Sequence, residues 1–69
     1  MLTMREACAA ILRNRQEKAL NYAVEYARAG QDMTGPDARI QALYILNNMS
    51  RWRGPEAKLV RESLKAIAK

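Results

Sequence analysis

The most apolar stretch of the chain, Ala38 to Met49 (ARIQALYILNNM), does not keep its apolar residues on one side of a helix. At about 100° per residue they point in nearly every direction. A helix that is apolar all round is normally buried, and a chain of 69 residues has little with which to surround one. We therefore expect a second copy of the chain to supply part of the cover. The residues expected in the core or the dimer contact are Leu20, Val24, Ile40, Leu43, Tyr44, Ile45, Leu46, Met49, Val60 and Leu64.

The N-terminal part of the chain predicts one long helix, from about Thr3 to Ala29. Thr3 and Glu6 have the spacing of a capping box, which satisfies two free amide donors at a helix start. Six polar residues, 13 to 18, separate two apolar stripes that are rotated relative to each other. Either the helix bends there, or its halves pack on different neighbours. The stripes are Met4, Ala7, Cys8, Ile11 and Leu12, and then Ala19, Leu20, Ala23, Val24 and Ala27.

Two further helices are predicted after a linker over residues 30 to 35. Gly30 suits the left-handed residue that ends a helix. Pro36 and Pro55 suit first helical positions, where a missing N–H costs nothing. Helix 2 is predicted at about 36–52 and helix 3 at about 55–68. Helix 3 carries a narrow apolar seam for one neighbouring helix, formed by Ala57, Val60, Leu64 and Ile67.

The predicted fold is therefore a single all-α domain of about three helices that forms a homodimeric helical bundle. No phenylalanine is present, and good helix formers dominate. Small domains below about 70–80 residues usually need a disulfide, a metal or a partner chain. The single cysteine, Cys8, cannot form an intrachain disulfide, and the absence of histidine removes the common zinc ligands. Oligomerisation is therefore the remaining way to stabilise the domain. No cofactor or metal is expected.

The sequence gives no indication of enzyme chemistry. The seven carboxylates are scattered, and a Ser–His or Cys–His pair is excluded without histidine. The three glycines lie at predicted helix ends rather than in a phosphate-binding loop. Cys8 lies on an apolar stripe and is expected to be a small core residue. With no apolar run of secretory or membrane-spanning length and a lone thiol, we expect a cytoplasmic protein.

Positive charge is concentrated in the C-terminal third of the chain. The net charge is +5, and residues 50 to 69 hold six basic and two acidic residues. A basic C-terminal segment favours binding to an acidic protein surface, nucleic acid or an anionic membrane surface. An equal alternative is that these charges only form a solvated helix face.

Two groups of residues are candidates for binding a partner. In Arg51-Trp52-Arg53, an indole between two guanidinium groups can anchor a protein interface or stack on a base. Alternatively, Trp52 packs over the turn at Gly54. Tyr22 and Tyr26 lie one helical turn apart, with Arg28 nearby, and tyrosines suit interfaces; the alternative places both rings in the dimer core.

The pair Asn47-Asn48 lies late in predicted helix 2, where asparagine is unfavourable. One of the two amides could bond across the bundle and fix its register. The alternative is a solvated pair near the end of the helix.

Residues 42 to 67 resemble one tetratricopeptide repeat, a helical hairpin whose turn is here two residues shorter than in that family. A single repeat cannot bury its own faces, so the resemblance implies a helical hairpin and a binding role. The residues that carry it are Ala42, Leu43, Leu46, Trp52, Gly54, Glu56, Ala57, Leu64, Lys65 and Ala66.

The size, helical make-up and expected dimer are also similar to small proteins that temperate phages use against host regulators, including quorum-sensing anti-activators that bind LuxR-type transcription factors. This resemblance implies a protein that binds and modulates or inhibits a host regulator. The alternative function is a nucleic-acid-binding helical dimer that uses the basic C-terminal helix. It ranks second, because acidic residues interrupt the basic surface and no nucleic-acid motif is present.

Overall fold

A computed structural model describes residues 1–20 and 22–69 of the chain. Within these residues the fold is all-helical, as predicted, with four α-helices rather than three. A short 3-10 helix, Lys18–Leu20, precedes the second of them. The helices are α1 (Met4–Arg13), α2 (Ala23–Gly30), α3 (Gly35–Asn47) and α4 (Pro55–Ile67).

The prediction of one continuous helix from Thr3 to Ala29 is wrong. The predicted capping box of Thr3 and Glu6 is present, but α1 ends at Arg13. The Asn14 side chain there donates to the Ala10 carbonyl, at 2.8 Å, and to a carboxylate oxygen on α4. The chain then turns back, so that α1 and α2 pack against each other, while α1 also contacts α4 and α2 also contacts α3.

The four helices surround one core. α1 and α3 each pack against both α2 and α4. Pairs of contacting residues show that neighbours run antiparallel: Gly30 lies near Met4, and the Leu2 amide bonds the Ser63 hydroxyl at 2.9 Å. The fully buried side chains include five of the predicted core residues, Leu20, Ile45, Met49, Val60 and Leu64, together with Cys8.

Some expected core residues lie elsewhere. Val24 and Leu46 are partly buried against the core. Ile40, Leu43 and Tyr44 lie on the outside of α3 and are about half exposed, so they are not part of the chain's own core, and their predicted place in a dimer contact stays a prediction. The physical reason is that folding back at Asn14 lets the chain cover only one side of α3 by itself.

Two helix ends also differ from the prediction. Gly30 does not adopt a left-handed conformation; it is the last residue of α2. Gly30 is needed for space, because a Cβ there would lie 3.0 Å from Cγ of Gln41 and 3.1 Å from Cε of Met4. α3 ends at Asn47 rather than near residue 52, and the following turns bury Met49 and Trp52.

Candidate functional site

Helix α3 carries large apolar side chains on two opposite sides. Ala42 and Ile45 are fully buried on the inner side. Ile40 and Leu43 lie on the outer side, where they are 51% and 49% exposed. The outer side is therefore apolar, and within residues 1–20 and 22–69 it is only about half covered.

Tyrosines from α2 extend this outer surface. The rings of Tyr26 and Tyr44 lie with their centroids 5.5 Å apart and their planes tilted by 31°, a separation within the range of interacting aromatic pairs. Tyr44 is 48% exposed, and Tyr22, one turn before Tyr26, is 64% exposed. We call the surface formed by Tyr22, Tyr26, Ile40, Leu43 and Tyr44 the aromatic face.

A buried glutamine fixes the alignment of α2 and α3 beneath this face. The side-chain amide of Gln41 donates to the Tyr26 carbonyl at 2.8 Å, and Gln41 is only 8% exposed. Because buried polar groups are costly without a partner, this bond favours one register of the two helices. Sequence reasoning missed Gln41, although its position on the helix face of Ala38 and Ile45 was a usable signal.

An open groove of about 540 Å³ continues the aromatic face beyond the end of α3. Asn48 lines this groove, and its side chain donates to the Tyr44 carbonyl within α3 at 2.8 Å. Among the described residues no acidic side chain lines this groove. We call it the basic groove; its lining residues are Lys18, Ala19, Asn47, Asn48, Ser50 and Arg51.

The three residues of the Arg51-Trp52-Arg53 segment occupy different surroundings. Trp52 is 5% exposed, and its carbonyl accepts a hydrogen bond from Arg61 at 2.6 Å. Its indole therefore offers almost no surface to a partner, which corrects its assignment as an exposed anchor. Arg51 lines the basic groove, and Arg53 is exposed in the turn before α4.

Arg28 does not join the two tyrosines. It lies two residues after Tyr26, and two residues correspond to about 200° around a helix. Arg28 instead forms an exposed ion pair of 3.2 Å with Glu25. The predicted group of Tyr22, Tyr26 and Arg28 is thus divided, and only the tyrosines belong to the aromatic face.

The asparagine pair makes no bond across the core among the described contacts. Asn47 is exposed, and Asn48 bonds locally within α3. Gln41 has the cross-helix role that was considered for this pair.

The shifted titratable groups have structural explanations. Burial raises the pKa of the Cys8 thiol to about 11. Hydrogen bonds from Asn14 and then Arg13 lower the pKa of Glu56, and the capping-box bonds with Thr3 lower the pKa of Glu6. Within residues 1–20 and 22–69, no three potential metal ligands cluster together.

A separate surface on α4 is basic. Lys58, Glu62 and Lys65 lie at a helical spacing on one side of this helix, Lys69 follows its C-terminal end, and all four are exposed. Arg61 is turned away from this row toward the Trp52 carbonyl. The row of lysines is the surface that the nucleic-acid alternative requires.

Comparison with protein families, curated proteins and solved structures found no match to this chain. None of the helices in the described part of the chain has the length and apolar character needed to span a bilayer.

Proposed function

We propose that this chain is a non-enzymatic protein-binding protein and that the aromatic face is its docking surface. One observation carries the proposal: Ile40, Leu43 and Tyr44 stay about half exposed on a helix whose opposite side is already buried. Leaving apolar surface in water costs about 25 cal/mol per Å². A partner that covers this surface recovers that free energy.

The aromatic face has a suitable size for the centre of an interface. A tyrosine can bury about 150–250 Å², so four half-exposed large side chains offer roughly 400 Å². Contiguous apolar patches of about 300–600 Å² on monomeric proteins are often functional. A standard interface buries about 800 Å² per partner, and the polar rim around such a centre supplies the remainder.

For the identity of the partner, the proposal draws on the similarity to small phage proteins. The partner is a regulatory protein of a host cell, such as a transcription factor, and the two proteins meet in the cytoplasm. Binding would then modulate or inhibit that regulator by covering one of its surfaces.

The homodimer predicted from the sequence is the alternative occupant of this face, because a second copy and a partner would compete for the same residues of α3. The chain covers the inner side of α3 by itself, so the second copy would bury only the outer side, around Leu43 and Tyr44. Light scattering across micromolar concentrations tests this part, because a 7.8 kDa species throughout would exclude the dimer.

Capture from host lysate tests the main proposal. The bait is the wild-type chain, compared with Leu43→Glu and with Lys65→Glu as a matched charge-changing control on α4. A protein that survives nuclease treatment, is lost with Leu43→Glu and is retained with Lys65→Glu is the expected result. Equal capture by all three baits would overturn the proposal.

Nucleic-acid binding is the second candidate, favoured by the exposed row of Lys58, Lys65 and Lys69. Binding through phosphate contacts weakens steeply as salt increases. Lys58→Glu combined with Lys65→Glu should then abolish DNA or RNA binding at low salt, while Leu43→Glu leaves it unchanged. Undetectable binding by the wild-type chain at low salt would remove this candidate.

A further inference from the structure

We infer that the segment bound at the aromatic face is an amphipathic helix with acidic residues at one end, and that this end lies in the basic groove. This inference rests on the proposed function and specifies its partner. It is argued from the length of the apolar surface, the charge at its end and the charge of the whole chain.

The length of the surface suits a short helix. Ile40, Leu43 and Asn47 follow the outer side of α3 over seven residues, which is about 10 Å at 1.5 Å per residue. A partner helix that anchors through positions i, i+3 or i+4, and i+7 covers the same distance. The tilted ring pair of Tyr26 and Tyr44 joins α2 to α3 beside this row, so the partner helix contacts both elements.

The charge at one end gives the partner helix a direction. Lys18 and Arg51 line the basic groove beyond Asn47, and neither belongs to the ion pairs found in the described part of the chain. The acidic residue nearest in sequence is Glu17, which is not among the lining residues. Carboxylates on the partner would meet two cations there, with the Asn47 and Ser50 side chains as additional donors.

The charge of the whole chain favours an acidic partner over a second copy. Each copy carries a net charge of +5, so two copies repel each other at long range while an acidic partner is attracted. In an antiparallel pairing of two α3 helices, a second copy would bring Asp37 toward the basic groove. A second copy would thus offer one carboxylate to the two basic side chains, Lys18 and Arg51, whereas a helix with an acidic end supplies several carboxylates.

A displayed library of amphipathic helical peptides, with both ends randomised, tests this inference without a presumed target sequence. The baits are the folded wild-type chain and the Lys18→Glu, Arg51→Glu double variant. We expect wild-type binders to be enriched in Asp and Glu at one end only, and to lose about tenfold in affinity for the double variant. Selection on the double variant should enrich Lys and Arg at that same end.

Control variants separate the failure of this inference from that of the proposed function. Lys65→Glu, which changes charge on α4, should bind the selected peptides as the wild type does. Two results would contradict the acidic end of the partner helix and leave the aromatic face as the docking surface. In the first, binding requires Leu43 and yet shows no enrichment of acidic residues. In the second, binding requires Leu43 and is unaffected by charge reversal at Lys18 and Arg51.

Two further results would overturn the inference. If the selected peptides bind the Leu43→Glu variant as tightly as the wild type, or if the library yields no binders, the aromatic face is not a docking surface. The inference about the acidic helix then fails with it. A dimer in sedimentation that is lost with Leu43→Glu would assign the aromatic face to a second copy.

Discussion

The side-chain amide of Asn14 donates one hydrogen bond to the Ala10 carbonyl and another, also of 2.8 Å, to the carboxylate of Glu56. The first bond lies at the end of α1, and the second attaches that end to the start of α4. Arg13 adds an ion pair of 2.9 Å to the same carboxylate. A single residue therefore contributes both to ending a helix and to the packing of two helices.

Replacing Asn14 by alanine should lower the free energy of unfolding by about 1–2 kcal/mol, since hydrogen bonds to charged groups are worth about 1.5–3 kcal/mol and this one is partly screened. Alanine also favours continuation of the helix past its present end. Urea denaturation measures the change. Gln16→Ala, at an exposed position nearby, is the control and should stay within about 0.5 kcal/mol. Equal losses for the two variants would contradict this role of Asn14.

The same contact predicts a pH dependence. Asn14 and Arg13 hold the pKa of Glu56 below its ordinary value of 4.5, so the folded state favours the ionised carboxyl. This contribution is fully present above the ordinary value and is lost as the pH falls through the lowered pKa. The melting temperatures of the wild type and Glu56→Gln should therefore differ most near neutral pH and converge in acid. A difference that grows on acidification would contradict the assignment.

Gly30→Ala should destabilise the chain by about 1 kcal/mol, although alanine is normally about 1 kcal/mol better than glycine within a helix. The added Cβ would lie 3.0 Å from Cγ of Gln41, and the bond from Gln41 to the Tyr26 carbonyl restrains that side chain. Gln41→Ala removes the Cγ atom. The cost of Gly30→Ala, measured by denaturation, should therefore shrink in the Gln41→Ala background, and strictly additive effects would show that this contact is unimportant.

The two sides of α3 should respond differently to substitution. Leu43→Glu changes a half-exposed side chain and should alter the free energy of unfolding by no more than about 0.5 kcal/mol. Ile45→Ala empties a fully buried site two residues away and should cost about 2–5 kcal/mol. Thermal and urea unfolding of the two variants provide the test. A Leu43→Glu loss as large as that of Ile45→Ala would mean that the outer side also supports the fold.

Local sequence signals predicted some elements well. The seam of Ala57, Val60 and Leu64, opened by Pro55, predicted helix 3 at about 55–68, and α4 spans Pro55–Ile67. The end of α1 at Asn14 was not predicted, and its side chain there bonds Glu56, which lies 42 residues away in the sequence. Local helix propensity contains no information about such a distant acceptor, and the rotated stripes indicated only that a bend was one option.

The candidate site was only partly predictable for a related reason. Periodicity showed that α3 is apolar on every side, but it could not show which side the chain covers by itself. The result depends on α1 folding back onto α2, which buries Ile45 and leaves Leu43 outside. For Trp52, the sequence allowed both an exposed and a packed position, and the turn after α3 places it in the core. The homodimer and the partner protein both stay predictions.

One side of α3 is buried in the core, and the opposite side is about half exposed. This difference has an evolutionary consequence. Substitutions at Ile40 or Leu43 should disturb folding less than substitutions on the inner side, so under the proposed function selection would act on them mainly through binding. Under the proposed function, a small protein built in this way could change its target through a few substitutions on one side of a single helix.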